Sequence, residues 1–272
     1  RMDTIINMAP NGVVYLTFKL FVDAGLKHGF STRIGGVSEG IYKSMNLSFQ
    51  RGDDYDSVLE NHRRFAEAVG YDHMSTVFSD QVHGVHIAQV GAGDRGHGMH
   101  GEKGINEADG LVTDEPGVPL MTFYADCVPL FFYDPVKKVI ASSHSGWRGT
   151  VAGIGRYTVD FMNAEMGCKR EDILAVIGPS ICVDCYEVSA DVAGQFEAAF
   201  PESVHKDILR EKKDNKYMLN LWNANRHILL DAGITKEHIQ LPDICTCHNP
   251  ELMISHRETD GKRGNLAGVL IL

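Results

Sequence analysis

Cys127 and His144 carry the side chains whose types and positions most invite chemistry in this chain. Both stand where apolar runs stop. The stretch Pro119 to Thr150, PLMTFYADCVPLFFYDPVKKVIASSHSGWRGT, reads as a strand running into Ala125-Asp126-Cys127, then a second strand from Val128 to Tyr133. A turn at Asp134-Pro135 leads to a third strand, Val136 to Ser143. Apolar runs of this length bounded by turn residues suit buried strands. His144 closes the third run, and Ser145-Gly146-Trp147-Arg148-Gly149 opens a helix. Side chains at successive strand ends can converge, and thiolate and imidazole are ready zinc ligands. His83, at the strand–loop junction Asp80-Gln81-Val82-His83-Gly84, offers a third donor. Three protein ligands leave a fourth position for water or substrate, as catalytic metal sites do. On spacing alone other readings stand beside this one. Cys127 can be a buried small hydrophobe, His144 a hydrogen-bonded structural histidine, or the two a nucleophile and its base.

The remaining cysteines are Cys168, Cys182, Cys185, Cys245 and Cys247. The start of the chain lacks a signal-peptide apolar region, so a cytoplasmic location is expected, with thiols that are reduced, ligating or catalytic rather than paired. Cys182, Cys185, Cys245 and Cys247 suggest a structural zinc site. However, C-x-C is a less usual ligand spacing than C-x-x-C, and buried or incidental thiols are the preferred reading.

The elements that must position these residues are legible in outline. Val13–Phe18 and Leu26–Ser31 read as strands, and Asp53–Val69 as a helix with acidic residues in its first turn and Gly70 after its end. His62 on that helix is expected at the surface. Short strands are expected at 76–79, 85–90 and 107–113. The segment 147–166 reads as one amphipathic helix, with apolar residues at helical spacing. A strand at 172–177, a helix capped by Ser189, a strand at 216–219 and a helix over 220–232 follow. Strands at 239–246, 252–255 and 266–272 complete the pattern. Alternating strands and helices predict an α/β fold, a single domain with a mixed β-sheet flanked by helices. The Gly/His-rich stretch 91–104 reads as a loop, with His97 and His100 in solvent.

Composition sets further bounds. The chain has 272 residues, 43% of them hydrophobic and 23% charged, which is ordinary for a globular protein with a sizeable core. No uninterrupted apolar run reaches membrane-spanning length. A net charge of −10 argues against non-specific nucleic-acid binding, and it means that an anionic substrate needs a local cationic pocket. Arg33, in the Gly-rich Thr32-Arg33-Ile34-Gly35-Gly36 loop, can serve such a pocket or be an exposed turn residue.

Five stretches appear in order: HGFSTRIGGVS (28–38), Asn46-Leu47-Ser48, Asp80-Gln81-Val82-His83-Gly84, Ala125-Asp126-Cys127-Val128-Pro129 and His144-Ser145-Gly146-Trp147-Arg148-Gly149. Together they resemble the polyphenol oxidase/laccase-domain family, whose bacterial members are regarded as purine nucleoside phosphorylases that also deaminate adenosine. The match continues through Gly178-Pro179-Ser180-Ile181 and Cys185-Tyr186-Glu187-Val188 and covers nearly the whole chain. The resemblance implies one α/β domain over residues 1–272 and zinc on His83, Cys127 and His144, with copper as the alternative ion for an oxidase. It implies purine nucleosides, methylthioadenosine among them, and phosphate as substrates. On this reading Arg33 and Arg148 hold phosphate. Asn46, Ser48 and Gln81 contact the nucleoside, and Asp126 orients a ligand or moves a proton. One departure is that Gly264-Asn265 stands where the family often carries a Gly-Arg pair, with Arg257 and Arg263 nearby. The oxidase reading is weakened by the lack of any His-x-His pair.

Overall fold

The seven residues Val128–Asp134 are all buried, and so are the seven residues Val139–Ser145. A strand buried on both faces must lie between two layers, and these two do. The computed structural model describes residues 2–105 and 107–272. In chain order its strands begin with β1 (Thr4–Met8), β2 (Val14–Phe18), β3 (Lys27–Ser31), β4 (Ile87–Gln89), β5 (Gly110–Thr113) and β6 (Leu120–Tyr124). They continue with β7 (Val128–Asp134), β8 (Val139–Ser145), β9 (Leu174–Ile177), β10 (Glu187–Ser189) and β11 (Leu209–Glu211). β12 (Lys216–Leu219), β13 (Ile239–Gln240) and β14 (Leu266–Ile271) complete the set. The helices are α1 (Lys19–Asp23), α2 (Tyr55–Val69), α3 (Trp147–Ala152), α4 (Ile154–Met166), α5 (Ala190–Ala199), α6 (His205–Ile208), α7 (Leu221–Asp231) and α8 (His256–Thr259).

The α/β expectation holds, with three sheets where one mixed sheet was expected. A six-stranded mixed sheet runs β13-β9-β7-β8-β5-β4, a five-stranded antiparallel sheet runs β1-β2-β3-β14-β6, and a small sheet runs β10-β12-β11. Side chains alternate across β7, as strand geometry requires. Leu130 and Phe132 join Ile154, Met162 and Leu229 under the helices, whereas Phe131 and Tyr133 join Phe30, Leu120 and Leu266 of the five-stranded sheet. Helix α2 covers that second sheet's other face through Phe65, packed with Met45, Leu47 and Val269. Its ends are those expected, with the Asp54 carboxylate capping Ser57 N–H and Gly70 left-handed at φ 99°.

The differences have local causes. The single helix expected over 147–166 breaks into α3 and α4, because Gly153 takes φ 83° between them. The strand expected at 239–246 is only two residues long, and 252–255 forms no strand. Residues 76–79 make isolated bridges rather than a strand. His62 is not a surface residue. It is fully buried, its ring stacks on Phe49 at 5.2 Å, and its Nε2 lies 2.7 Å from the Leu47 carbonyl. Helical periodicity put it one turn from buried Val58 and Phe65, but only the loop folded over α2 decides its burial.

Candidate metal and substrate site

Strand register builds the site. In the β7–β8 pair Pro129 lies opposite His144, which sets Cys127 beside the end of β8. In the β5–β8 pair Gly110 lies opposite Ser143, and His144 N–H donates to the Asp109 carbonyl at 2.8 Å. The loop carrying His83 is then drawn in by Asp109. Its buried carboxylate accepts hydrogen bonds from the backbone N–H groups of Val82, His83 and Gly84 at 2.9, 3.1 and 3.0 Å, and from His144 Nδ1 at 2.9 Å. With Nδ1 engaged, Nε2 is the His144 nitrogen left for a ligand bond, the carboxylate–histidine arrangement common around metals. One donor atom each from His83, Cys127 and His144 lies within 4.8 Å of the others.

The electrostatics follow from this packing. Burial alone would raise the Asp109 pKa. The hydrogen bond and charge of His144, with the loop N–H groups, hold it below the ordinary carboxylate range instead. Burial disfavours the His144 imidazolium, yet the Cys127 sulfur and Asp109 together raise its pKa to about 10. His83 is lowered, first by burial and then by the charges of His144 and Arg148, with Asp109 opposing. Space is kept clear around the cluster by Gly146, where a Cβ would sit 3.1 Å from both the Cys127 sulfur and His83 Nδ1.

One donor and one residue beside a donor have left-handed backbones, His83 at φ 61° and Asp126 at φ 91°. Such conformations cost roughly 1–3 kcal/mol for residues with a Cβ and persist where surroundings over-determine them. Asp109 supplies the restraint for His83. For Asp126 it comes from Thr246 Oγ1, which donates to one carboxylate oxygen at 2.7 Å, and Arg257 N–H, which donates to the other at 2.7 Å.

The three donors line a cavity of about 290 Å³ together with Ser48, Gln81, Phe78, Phe123 and Tyr124. Arg51 and Arg263 line it as well. Their guanidiniums bond to backbone and neutral groups, Arg51 to the Gly261 carbonyl at 2.9 Å and Arg263 to the Gly264 carbonyl at 3.2 Å and the Asn265 side chain. Among the described residues neither forms a carboxylate ion pair. Burial and then the charge of Arg51 lower the Arg263 pKa to about 10. Beside the cluster lies a second hollow of about 60 Å³ lined by His83, Asp126, Cys127, Trp147, Arg148 and Tyr186.

The residues singled out in the sequence fall into different places. His83, Cys127 and His144 converge. Arg148 stacks over Trp147, 4.4 Å from the ring centre, and lines the smaller hollow. Arg33 lines neither hollow; its guanidinium donates to the Met253 and Lys43 carbonyls at 3.1 and 3.2 Å. Asn46 is fully buried, and its side-chain oxygen accepts from Ser48 and Asn265 N–H at 3.0 and 2.9 Å. Ser48 Oγ accepts from Gln50 N–H at 3.1 Å. Both ends of the Gln81 amide clamp the Phe123 backbone, at 2.9 and 2.7 Å. Asp109 and Arg51 were missed. An acidic residue just before a buried strand, in Glu107-Ala108-Asp109-Gly110, is the one local sign of Asp109.

The model of the family described as multi-copper polyphenol oxidoreductase laccase matches residues 27–272, and the chain belongs to that family. The purine nucleoside phosphorylase YlmD of Bacillus subtilis (strain 168) is 39% identical over 239 residues, covering 88% of this chain and 85% of that protein. The human purine nucleoside phosphorylase LACC1 is 33% identical over 236 residues, covering 84% of this chain and 51% of that protein. The crystal structure of YlmD from Geobacillus stearothermophilus superposes with a TM-score of 0.92 at 34% identity, covering 98% of each chain. No helix among the described residues is long and apolar enough to cross a membrane.

Proposed function

We propose that this protein is a zinc-dependent purine nucleoside phosphorylase that also deaminates adenosine and cleaves methylthioadenosine, with His83, Cys127 and His144 as the metal ligands. One observation supports this above others: three soft and borderline donors meet at a cavity that also presents two guanidiniums without carboxylate partners among the described residues. The relatives named for phosphorolysis point the same way. The donor set fits zinc with an open position. It also accommodates copper, but the two Cys/His clusters among the described residues hold three histidines between them, few for an oxidase with several coppers.

When bound, zinc supplies Lewis acidity at its open position. Phosphorolysis requires a phosphate oxygen to attack C1′ of the ribose while the C1′–N9 bond breaks and its electron pair leaves with the purine, which takes up a proton. We assign the phosphate to Arg51 and Arg263, since an arginine fork matches phosphate geometry in a way lysine cannot. Arg148 adds positive charge from the neighbouring hollow. Arg33, whose guanidinium is bound to carbonyls, acts by fixing its loop. Phe78, Phe123 and Tyr124 offer apolar surface to the purine. Ser48, Asn46 and Gln81 shape the nucleoside wall by holding Gln50, Asn265 and Phe123. Asp109 orients His144, and Asp126 orients the turn that carries Cys127. In deamination a water oxygen replaces the C6 amino group and ammonia leaves.

The deciding experiment incubates metal-analysed protein with adenosine, inosine and methylthioadenosine, with and without phosphate, and separates the products. Base and sugar 1-phosphate are expected only with phosphate, and inosine from adenosine without it. Oxygen uptake with a phenol that scales with bound copper, alongside no nucleoside turnover, would overturn the reading. Arg263→Lys or Arg51→Lys is expected to raise the phosphate KM about tenfold to a hundredfold, the loss of one charge-assisted contact of roughly 1.5–3 kcal/mol, with deamination less affected.

A further inference from the structure

We propose that Cys182, Cys185, Cys245 and His248 form a second metal site, a closed structural zinc site that clips together the two loops holding Asp126. It stands apart from the three-donor cluster and does not depend on the phosphorylase reading. Cys182 and Cys185 lie in the turn between β9 and β10, and Cys245 and His248 lie beyond β13. The chain separates the two pairs widely, yet one donor atom from each of the four residues lies within 4.8 Å of the rest.

The spacings fit a tetrahedral ion. Zinc bonds of about 2.3 Å to sulfur and 2.0–2.1 Å to nitrogen at tetrahedral angles imply about 3.6 Å between S and N and about 3.8 Å between two sulfurs. Cys182 Sγ lies 3.5 Å from His248 Nδ1, and Cys245 Sγ lies 4.0 Å from Cys185 Sγ. The latter is far beyond the roughly 2.05 Å of a disulfide. A backbone donor faces one of the sulfurs: Cys182 N–H reaches Cys245 Sγ at 3.3 Å. Cys182 and Cys245 are buried, Cys185 is half-buried and His248 is exposed, which leaves an entry path for the ion. Four protein donors fill a tetrahedron, so this site has no place for substrate.

The fourth ligand differs from the one expected of the cysteines alone. The chain turns over Thr246 to His248, and this turn places the His248 ring, not the Cys247 thiol, within the cluster. Cys247 neighbours Cys185 at the margin of the apolar core but falls outside the four-donor group. The residues beside the ligands do the clipping. Ile181, next to Cys182, donates its N–H to the Asp126 carbonyl at 3.0 Å. Thr246, next to Cys245, donates its hydroxyl to the Asp126 carboxylate, and its N–H bonds the Ser180 carbonyl at 3.1 Å.

The test is metal stoichiometry on full-length protein purified with reductant and zinc, then desalted. About two zinc ions per chain are expected for the unaltered protein, and about one in Cys127→Ala, in Cys182→Ser and in His248→Ala. Cys247→Ser is expected to keep both and His248→Cys to restore the second. With cobalt as the probe, the stronger thiolate charge-transfer absorption of a three-sulfur site should survive Cys127→Ala and disappear in Cys182→Ser. Cys127→Ala protein that carries no metal, or a disulfide among these cysteines found by mass spectrometry without reductant, would overturn the proposal. If Cys182→Ser fails to fold, the metal count of soluble Cys127→Ala alone decides.

Discussion

Two Cys/His clusters share Asp126 as a neighbour, and they differ in what surrounds them. His83, Cys127 and His144 number three, open onto a cavity, and are aimed by a buried carboxylate. Cys182, Cys185, Cys245 and His248 number four, and they are held by turns and a backbone N–H group. Similar side chains are thus set up for different work. Three donors, two at strand ends and one on a loop, would leave one coordination position facing a cavity lined by Arg51, Lys103 and Arg263 as well as Asp80 and Glu102, whereas four donors on two loops would leave none. Donor count and access, more than donor type, separate a reactive site from a staple.

The sharpest break in the comparison is expected from Cys127→Ala. It should empty the open cluster and lower nucleoside turnover by more than the roughly 10–100-fold typical of losing a supporting group. Far-ultraviolet circular dichroism should be unchanged, because the β7–β8 ladder does not depend on the thiol. Full turnover with that variant would remove Cys127 from the chemistry.

A smaller effect is expected from Asp109→Asn. The His144 hydrogen bond and the three loop N–H groups lose their anionic acceptor, so metal affinity at the open cluster should fall about 10–100-fold. The four-donor cluster should keep its metal, as measured by competition with a chromogenic chelator. Equal losses at both clusters would mean that Asp109 acts through global stability.

Thr246→Val probes the coupling between the clusters. It removes the hydroxyl that holds Asp126 and should cost roughly 1–3 kcal/mol of stability with both metals retained. A fewfold fall in turnover at unchanged metal content would show that the second cluster's loop positions the first. Unchanged turnover would confine it to stability.

A separate effect, on stability rather than on either cluster, is expected when metal-free protein is taken into mild acid. It acts through two histidines that belong to neither cluster. Metal is removed first because acid also protonates thiolate and imidazole ligands. His28 accepts from Phe18 N–H at 2.9 Å and donates to the Leu26 carbonyl, and burial lowers its pKa to about 4. His62 is likewise lowered to about 4 by burial. Their ordinary value is about 6.5, so the unfolded chain takes up protons that the folded chain refuses. Their contribution is therefore full above about pH 6.5 and is lost as pH falls toward about 4, at most about 3 kcal/mol for each. Denaturant midpoints of metal-free protein at pH 7 and pH 4.5 measure the loss, and His62→Phe should reduce it. A midpoint independent of pH would show that the rings are accessible to solvent.

Legibility in the sequence tracked the range of the interactions. The cap and stop of α2 are local, and Asp54 and Gly70 take the places their types suggest. The buried strands β7 and β8 announce themselves by continuous apolar composition. The short β13 and the strandless 252–255 segment did not, because an apolar run becomes a strand only where a partner edge is free. Helical periodicity over 147–166 correctly signalled buried faces but missed the break, since Gly153 reverses the backbone without disturbing the apolar spacing.

What the amino-acid sequence determined by itself was the supply of donors at strand ends: a Cys after one apolar run, a His at the end of another, and a His in a loop motif. Those positions follow from side-chain chemistry and strand periodicity, both readable locally. Only the tertiary structure decided how the donors are completed. Asp109 reaches His144 across 35 positions, Arg51 meets Arg263 across 212, and Cys182 meets His248 across 66. Hydrogen bonds, shared cavities and metal geometry act over a few ångströms, and a contact between residues that far apart in the chain exists only once the sheets have set their register.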